Sequence, residues 1–325
     1  MSPKKKMNLC GGIDVGGTKI SSALFTADGK MIDRRKILIE KGKAEKPVQQ
    51  IIGIIRNLEA NAKKRKGEIR AVGICIPGVV FQKNSLVWAP NISGWDHFPL
   101  RDRLQEKIKA PLILDSDRSA YVLGEQWCGV ARGKKDVVFL AVGTGIGAGI
   151  IAGGQVLRGC QDISGAVGWF ALDPRFRSEY AAMGCFEAEA SGSAVGRRAI
   201  ELLKAGEPSL MNDLVNREIE KITAETVVTA ARAKDPLACE IIATTVSYLA
   251  MGIANIVSIL NPEMVVLGGG LFQAGDLLLR PIRKEFKTWA QPLAARKVRI
   301  ELSSLGENTG LYGAGKLAWE SVAGL

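Results

Sequence analysis

The chain of 325 residues carries 44 Lys and Arg against 33 Asp and Glu, a formal charge of +11, with 47% hydrophobic residues and 37 glycines. That is long enough for two domains around a substantial core and too apolar for a disordered polymer. The positive charge does not point to nucleic acid: it is scattered, its densest runs, Lys4-Lys5-Lys6 and Lys63-Lys64-Arg65-Lys66, read as a loose tail and a solvated helix end, and no aromatics are interleaved for base stacking.

In chain order, the apolar run ending Gly11-Gly12-Ile13-Asp14-Val15 enters a glycine turn at Gly16-Gly17-Thr18-Lys19. The β-branched and apolar residues 20–25 follow, then a second tight turn at Asp28-Gly29, so three strands are predicted to about residue 37. A helix is predicted over 47–63, a strand over 70–76, a loop, a short helix over 100–109, a strand over 111–114 and a helix over 119–128. The opening pattern then returns as Leu140-Ala141-Val142-Gly143-Thr144-Gly145-Ile146-Gly147, continued by residues 148–152 and a turn at Gly153-Gly154. Residues 154–185 are loop-rich, helices occupy most of 187–260, and a strand at 265–267 enters the turn Gly268-Gly269-Gly270 before another helix. A small-residue helix begins at 310 and suits close packing on a sheet, and the domain boundary is expected near residues 116–124, where one helix crosses between halves. Residues 241–262 carry no charge and reach the length of a membrane span, but they include Thr244, Thr245, Ser247, Tyr248, Asn255 and Ser258 and lead through Asn261-Pro262 into a strand. That is the pattern of a buried helix.

The two glycine turns carry the first chemistry. Without Cβ atoms, backbone N–H groups at Gly16, Gly17, Thr18, Gly143, Thr144 and Gly145 can line one cleft and cradle phosphate oxygens. Either turn alone is equally a plain hairpin; the repetition suggests a duplicated domain holding phosphates between its halves. The spacing of Gly143, Gly145 and Ala148 fits a dinucleotide fingerprint, but strand rather than helix follows it, which is the wrong context. The six cysteines, Cys10, Cys75, Cys128, Cys160, Cys185 and Cys239, form no Cys-x-x-Cys pair, and Lys4-Lys5-Lys6 runs almost directly into the first strand without an export signal. Reduced thiols in a cytoplasmic protein are expected.

These motifs together resemble the ROK family (repressor, open reading frame, kinase) of the actin-like ATPase superfold over nearly the whole chain. Asp14-Val15-Gly16-Gly17-Thr18-Lys19 resembles the first phosphate motif, Gly143-Thr144-Gly145-Ile146-Gly147-Ala148-Gly149 the second, and Leu267-Gly268-Gly269-Gly270 the adenosine motif. Ile76-Pro77-Gly78 is similar to the sugar-side loop and Pro90-Asn91-Ile92-Ser93-Gly94-Trp95 to the sugar-binding segment. The resemblance implies an α/β, two-domain actin-like ATPase (ribonuclease H-like) fold with duplicated βββαβα-type cores. The small domain is expected over 7–117, completed by the C-terminal helix 310–325, and the larger one over 118–309. It also implies ATP and Mg²⁺ as cofactors, a small-molecule sugar or polyol as partner, no nucleic acid or membrane, and a homodimer. The repressor branch carries a helix-turn-helix ahead of Asp14, which 13 residues cannot supply, so the kinase side is expected.

The family's Asn-Asp-Ala-Asn-Ala-Ala-Ala-Leu-Gly-Glu block corresponds to Ser116-Asp117-Arg118-Ser119-Ala120-Tyr121-Val122-Leu123-Gly124-Glu125, placing the catalytic base at Asp117. A helix cap at Asp117 is the competing reading, and Asp115 is the competing base. The resemblance makes Asp14 the group that orients Mg²⁺ through water, and it assigns Gly78, Asn91, Asp117 and Glu187 to the acceptor. Two departures bear on substrate. The Gly-Glu-x-Gly-His block reads Gly165-Ala166-Val167-Gly168-Trp169, and the Cys-x-Cys-Gly-x-x-Gly-Cys block keeps only Cys185, with Ser178 and Tyr180 at the other positions. A tetrahedral zinc site cannot be built from one thiolate, so no zinc is expected. With Ala166 and Trp169 in place of a carboxylate and an imidazole, the pocket should bind glucose poorly and favour a cyclitol, keto or deoxy sugar stacked on Trp169. The alternative function is a noncatalytic carbohydrate sensor. His97, the single histidine, is expected on a loop.

Overall fold

The computed structural model describes residues 6–40 and 42–323. Lys4 and Lys5 of the basic tail, and the end of the C-terminal helix at 324–325, lie outside them.

Two sheets of identical plan organise the chain. In the first, β1 (Met7–Val15), β2 (Lys19–Phe25) and β3 (Met31–Leu38) form an antiparallel meander, and β4 (Gly67–Ile76) and β7 (Leu112–Ser116) add in parallel on the other side of β1, giving the order β3-β2-β1-β4-β7. In the second, β8 (Val137–Val142), β9 (Ile146–Ala152) and β10 (Gln155–Val156) repeat the meander, and β11 (Met264–Gly268) and β12 (Arg299–Leu302) repeat the parallel additions. Helix α1 (Glu45–Lys64) buries Val48, Ile51, Ile55 and Leu58 against the first sheet, a spacing of three and four that puts them on one face. A small hairpin, β5 (Val79–Phe81) with β6 (Leu86–Trp88), occupies part of the stretch expected to be loop; strands of three residues are too short for alternation to show. Helix α2 (Leu100–Gln105) stops earlier than its pattern suggests because the Gln105 side chain turns to donate to the carbonyls of Ile108 and Ala110.

The second half holds the helical bulk: short α4 (Tyr180–Met183) and α5 (Cys185–Ala190), then α6 (Gly192–Lys204), short α7 (Met211–Leu214), α8 (Ala224–Arg232) and α9 (Pro236–Leu260). The uncharged stretch is the core of α9. Asp235 caps its start by accepting from the Ala238 N–H at 2.9 Å, Pro236 sits in its first turn, and Asn261 ends it in the left-handed conformation. It is the one helix long and apolar enough to cross a membrane among the described residues, and its Ile241, Leu249 and Ile253 pack in the core with α10 (Gly275–Trp289) and the second sheet. Short α11 (Pro292–Ala295) follows α10.

Two helices lie between the sheets. α3 (Asp117–Cys128) touches β4 and β7 of one sheet and β8 and β9 of the other, and α12 (Thr309–Ala323) packs on α3, β1 and β4. The approach demands glycine on both sides: a Cβ on Gly313 would lie 1.8 Å from the Ala120 carbonyl oxygen, one on Gly124 2.4 Å from that of Thr309, and one on Gly73 1.9 Å from that of Ala314. Glu125 of α3, fully buried, accepts from Ser303 Oγ at 2.5 Å, the Leu305 N–H at 3.2 Å and the Val130 N–H at 2.9 Å, tying the loop before α12 to α3.

Candidate active site

A cleft of 930 Å³ opens between the two sheets where β1, β4 and β7 on one side and β8 and β11 on the other point their carboxyl ends. Of the residues singled out in the sequence, it gathers Asp14, Gly78, Asn91, Asp117, Gly143, Thr144, Gly145, Ala166, Trp169, Glu187, Gly268, Gly269 and Gly270. Gly16, Gly17, Thr18 and Lys19 are not in its wall; the turn they form is largely exposed, with Gly17 closest to it, its missing Cβ 3.5 Å from that of Asn91.

One expectation about the turns needs correcting. The Gly16 and Gly143 amides, expected among the phosphate donors, each close their own turn: Gly16 N–H donates to the Lys19 carbonyl at 2.8 Å and Gly143 N–H to that of Gly145 at 2.9 Å. A spent donor cannot cradle an anion, so Gly17, Thr18, Thr144 and Gly145 are the amides left for that purpose.

The two aspartates that compete for the role of base are separated by their partners. Asp115 is buried and held by Arg158, whose Nε and Nη2 reach one carboxylate oxygen at 3.1 and 2.5 Å, while its other oxygen accepts from the Ser116 N–H at 2.8 Å. It does not line the cleft. Asp117 does. The capping task falls instead to Ser116, whose Oγ accepts from the Ser119 N–H at 3.2 Å, so α3 starts two residues before its expected position. Asp117 then sits in the first turn, with Oδ1 accepting from the Arg118 N–H at 2.8 Å and Tyr121 Oη 3.5 Å from Oδ2. Burial pushes the Asp117 carboxyl up to about 7, with the Arg118 charge opposing and Asp14 reinforcing the rise.

Asp14 stands opposite at the end of β1, next to Cys75 in the β1–β4 register. The Cys75 thiol donates to Asp14 Oδ1 at 3.3 Å, and Gly310 leaves its Cβ position, 2.8 Å from Oδ2, empty. Burial raises the Asp14 carboxyl, and burial beside Asp14 raises the Cys75 thiol well above its usual range.

Elsewhere in the cleft wall Gly78 adopts φ +156°, and a Cβ there would be 2.0 Å from the Trp88 carbonyl, so glycine lets this loop lie against β6. Asn91 is exposed to the cleft, whereas Trp95 of the same motif is buried, stacked on Phe98 and donating Nε1–H to the Ala44 carbonyl at 3.0 Å. Trp95 anchors the segment and Asn91 is what the segment presents. Glu187, on α5, accepts from the Ile146 N–H at 2.7 Å, and burial raises its carboxyl. Trp169 is 57% exposed, as are large parts of Trp88 and Ile163, which line the same end of the cleft.

At the positions that correspond to the family's zinc motif, Cys185 packs with Tyr180, Ala188 and Leu172, and Tyr180 Oη donates to Glu189 Oε1 at 2.5 Å. Trp169 lies on the cleft, and no group of three or more metal-ligating side chains occurs among the described residues. His97 is exposed on its loop, stacked on Phe81 and 2.8 Å from Asp96.

A second cavity, also 930 Å³, was not read from the sequence. It shares Gly143, Thr144, Gly270 and Gln273 with the first and is walled by α6 and α8, including Gly196, Thr223 and Val228. Gly192 at the start of α6 donates its N–H to the Gly143 carbonyl at 2.7 Å. The small residues Gly192 and Gly196, one turn apart on a helix, were the only local hint.

Two meander-and-crossover sheets, each with helices, meeting at a shared cleft define the two-domain actin-like ATPase fold. The chain matches the ROK family over residues 10–321, and it belongs to that family. It is 34% identical over 96% of its length to a glucokinase from Thermotoga maritima, covering 98% of that protein. A ROK family glucokinase from Streptomyces griseus, solved with glucose and AMPPNP, superposes with a TM-score of 0.78 at 29% identity, covering 96% of this chain and 99% of that one. A xylose repressor from Caldicellulosiruptor bescii is 28% identical over 93% of this chain and 76% of the repressor.

Proposed function

We propose that this protein is an ATP-dependent kinase that transfers the γ-phosphoryl group to a hydroxyl of a sugar or sugar-like polyol. The observation that carries the reading is Asp117: a carboxylate relieved of capping by Ser116, half-buried at the seam of the two halves and open to the cleft. In that reading the acceptor hydroxyl oxygen attacks the γ-phosphorus as its proton passes to an Asp117 carboxylate oxygen, and the bond to the ADP oxygen breaks. The free amides of Thr144 and Gly145 bind phosphate oxygens, joined by Gly17 and Thr18 from the exposed turn beside the cleft, and Gly268, Gly269 and Gly270 let the nucleoside pass into the cavity between α6 and α8. Asp14 suits Mg²⁺-bound water because its Oδ2 has no hydrogen-bond partner among the described residues; the ion would neutralise charge developing on the phosphates. Asn91 and Glu187 orient the acceptor ring, Gly78 shapes its loop, and the enzyme works as a cytoplasmic homodimer of a small N-terminal and a larger C-terminal domain.

With Ala166 and Trp169 lining the pocket, the acceptor is a cyclitol, keto sugar or deoxy sugar in preference to glucose, and the protein binds no zinc. Coupled ADP formation across a panel of sugars, keto sugars and cyclitols tests the activity. Acceptor-dependent ADP release supports it; tight sugar binding without turnover in the presence of ATP and Mg²⁺ supports instead a noncatalytic carbohydrate sensor, the reading favoured by the aligned xylose repressor. Elemental analysis finding one zinc per chain would overturn the zinc-free reading.

A further inference from the structure

Immediately after the proposed base comes Arg118, whose side chain runs along β9: a Cβ on Gly147 would lie 3.0 Å from Arg118 Cδ. Its Nη1 reaches the Ser164 carbonyl at 3.4 Å, and the residue lines the cleft beside Asp117, Ile163 and Ala166. Arg118 is half-buried, yet no carboxylate forms an ion pair with it among the described residues, whereas its neighbour Arg158 is paired with Asp115. A guanidinium carries five N–H donors in a planar fork, and one long bond to a carbonyl leaves most of them without a protein partner.

The Asp117 carboxylate feels the Arg118 charge, and Asp115 and Asp162 line a small cavity beside it, but none of them forms an ion pair with the fork. Ala166 presents a methyl group, and Ile163 and Trp169 are apolar. The Asp117 carboxylate is adjacent in sequence but is bonded to the Arg118 N–H and faces Tyr121. A cationic fork at the acceptor end of a cleft otherwise lined by carboxylates and apolar groups is complementary to an anionic group on the ligand.

We propose that the acceptor is an acidic sugar or polyol whose carboxylate is held by Arg118. This deepens the kinase reading and rests on it for the phosphorylation step, although the recognition of charge does not. A carboxylate is favoured over a phosphate ester because Asp117 and Glu187 line the same cleft: one guanidinium balances a monoanion, while a dianion adds repulsion against both.

The test compares glucose with gluconate, 2-ketogluconate and glucuronate, and with glucose 1-phosphate as the phosphate arm. Coupled ADP formation and calorimetric binding are measured on the full chain and on the Arg118→Gln, Arg118→Lys and Ala166→Glu variants. Charge-assisted bonds of this kind are worth about tenfold to a hundredfold in affinity. At least one carboxylate should therefore have a kcat/KM or affinity at least tenfold above that of glucose. Arg118→Gln should remove that preference in binding while changing the affinity for glucose by less than about threefold, with partial retention in Arg118→Lys; because the Arg118 charge holds the Asp117 carboxyl down, turnover near pH 7 should fall alike for every acceptor. Ala166→Glu, which supplies a carboxylate from the protein, should erase the preference without touching Arg118, so the outcome does not depend on the arginine variants folding. Phosphorylation of a neutral sugar with no acid preference overturns the inference and leaves the kinase reading standing. Arg118-dependent binding of an acid with no ADP release leaves the inference standing and removes the kinase. A preference for glucose 1-phosphate over every carboxylate, or equal losses of affinity for glucose and gluconate in Arg118→Gln, also overturns it.

Discussion

The two sheets share strand order and pairing, yet their glycine turns end in opposite environments. The turn between β1 and β2 is largely exposed and contributes to the cleft mainly through Asp14 ahead of it. The turn between β8 and β9 is itself cleft wall, fixed from behind by Gly192 N–H on the Gly143 carbonyl and by Glu187 on the Ile146 N–H. The difference comes from what each sheet carries next. The first half adds a single long helix, while the second adds α5, α6, α8 and α9, which press on the turn and build the second cavity. A duplicated backbone thus yields one half that supplies a carboxylate and one that supplies a rigid, nested loop.

The largest effect should come at the seam. Asp117→Asn keeps the shape and the bond to the Arg118 N–H but cannot accept a proton, so kcat should fall about a hundredfold to ten-thousandfold with ATP and acceptor binding nearly unchanged. Near-normal turnover would remove Asp117 as base, and Asp115, already bound to Arg158, would not be a ready substitute.

Next in size, Ala166→Glu with Trp169→His restores two polar groups to the second half's acceptor wall. Each unmet buried hydroxyl costs about 1–3 kcal/mol, so kcat/KM for glucose should rise by roughly a hundredfold. No gain on glucose would show that these two positions do not set the preference.

The contrast between turns is sharpened by alanine at each. A Cβ on Gly145 would lie 2.6 Å from Glu187 Oε2, forcing that carboxylate off the Ile146 N–H, whereas one on Gly17 meets only an ordinary contact with Asn91. Gly145→Ala should raise the acceptor KM by about tenfold, the loss of one charge-assisted hydrogen bond. Gly17→Ala should leave the acceptor KM within about threefold. Equal effects would mean that the packing behind the second turn has no functional weight.

The smallest expected effect is on stability. The Asp117 carboxyl is raised to about 7 in the folded protein, above its unfolded value, so the folded state binds the proton more tightly. Its contribution is favourable below the unfolded pKa and is lost as pH rises through the folded one. In urea melts the wild type should therefore lose stability relative to Asp117→Asn between about pH 4 and pH 7. For the same reason, acceptor-dependent turnover should rise across pH 7 as the base ionises. Parallel stability profiles would show that Asp117 is not buried as described.

Much of this protein was legible in its sequence because the relevant signals are short. A strand, a glycine turn and a second strand lie within a few residues, so the two meanders could be placed from local pattern, while Asp117 came from the resemblance to the family's block and the strand at Arg299–Leu302 carried no local signal strong enough to read. Even the choice of Ser116 over Asp117 as cap is a local contest, though two neighbouring capping residues leave it undecided until the backbone is known. What only the tertiary structure decided are pairings across the chain: Arg158 claiming Asp115, Glu187 reaching the Ile146 amide, and the cavity between α6 and α8. To these it adds the Arg118 guanidinium, bonded to the Ser164 carbonyl beside Asp117 in the cleft. Periodicity and turn chemistry report which face a residue takes, not which distant partner waits there. A donor's availability or a charge's neutralisation therefore depends on contacts that exist only once both sheets have closed on the same cleft.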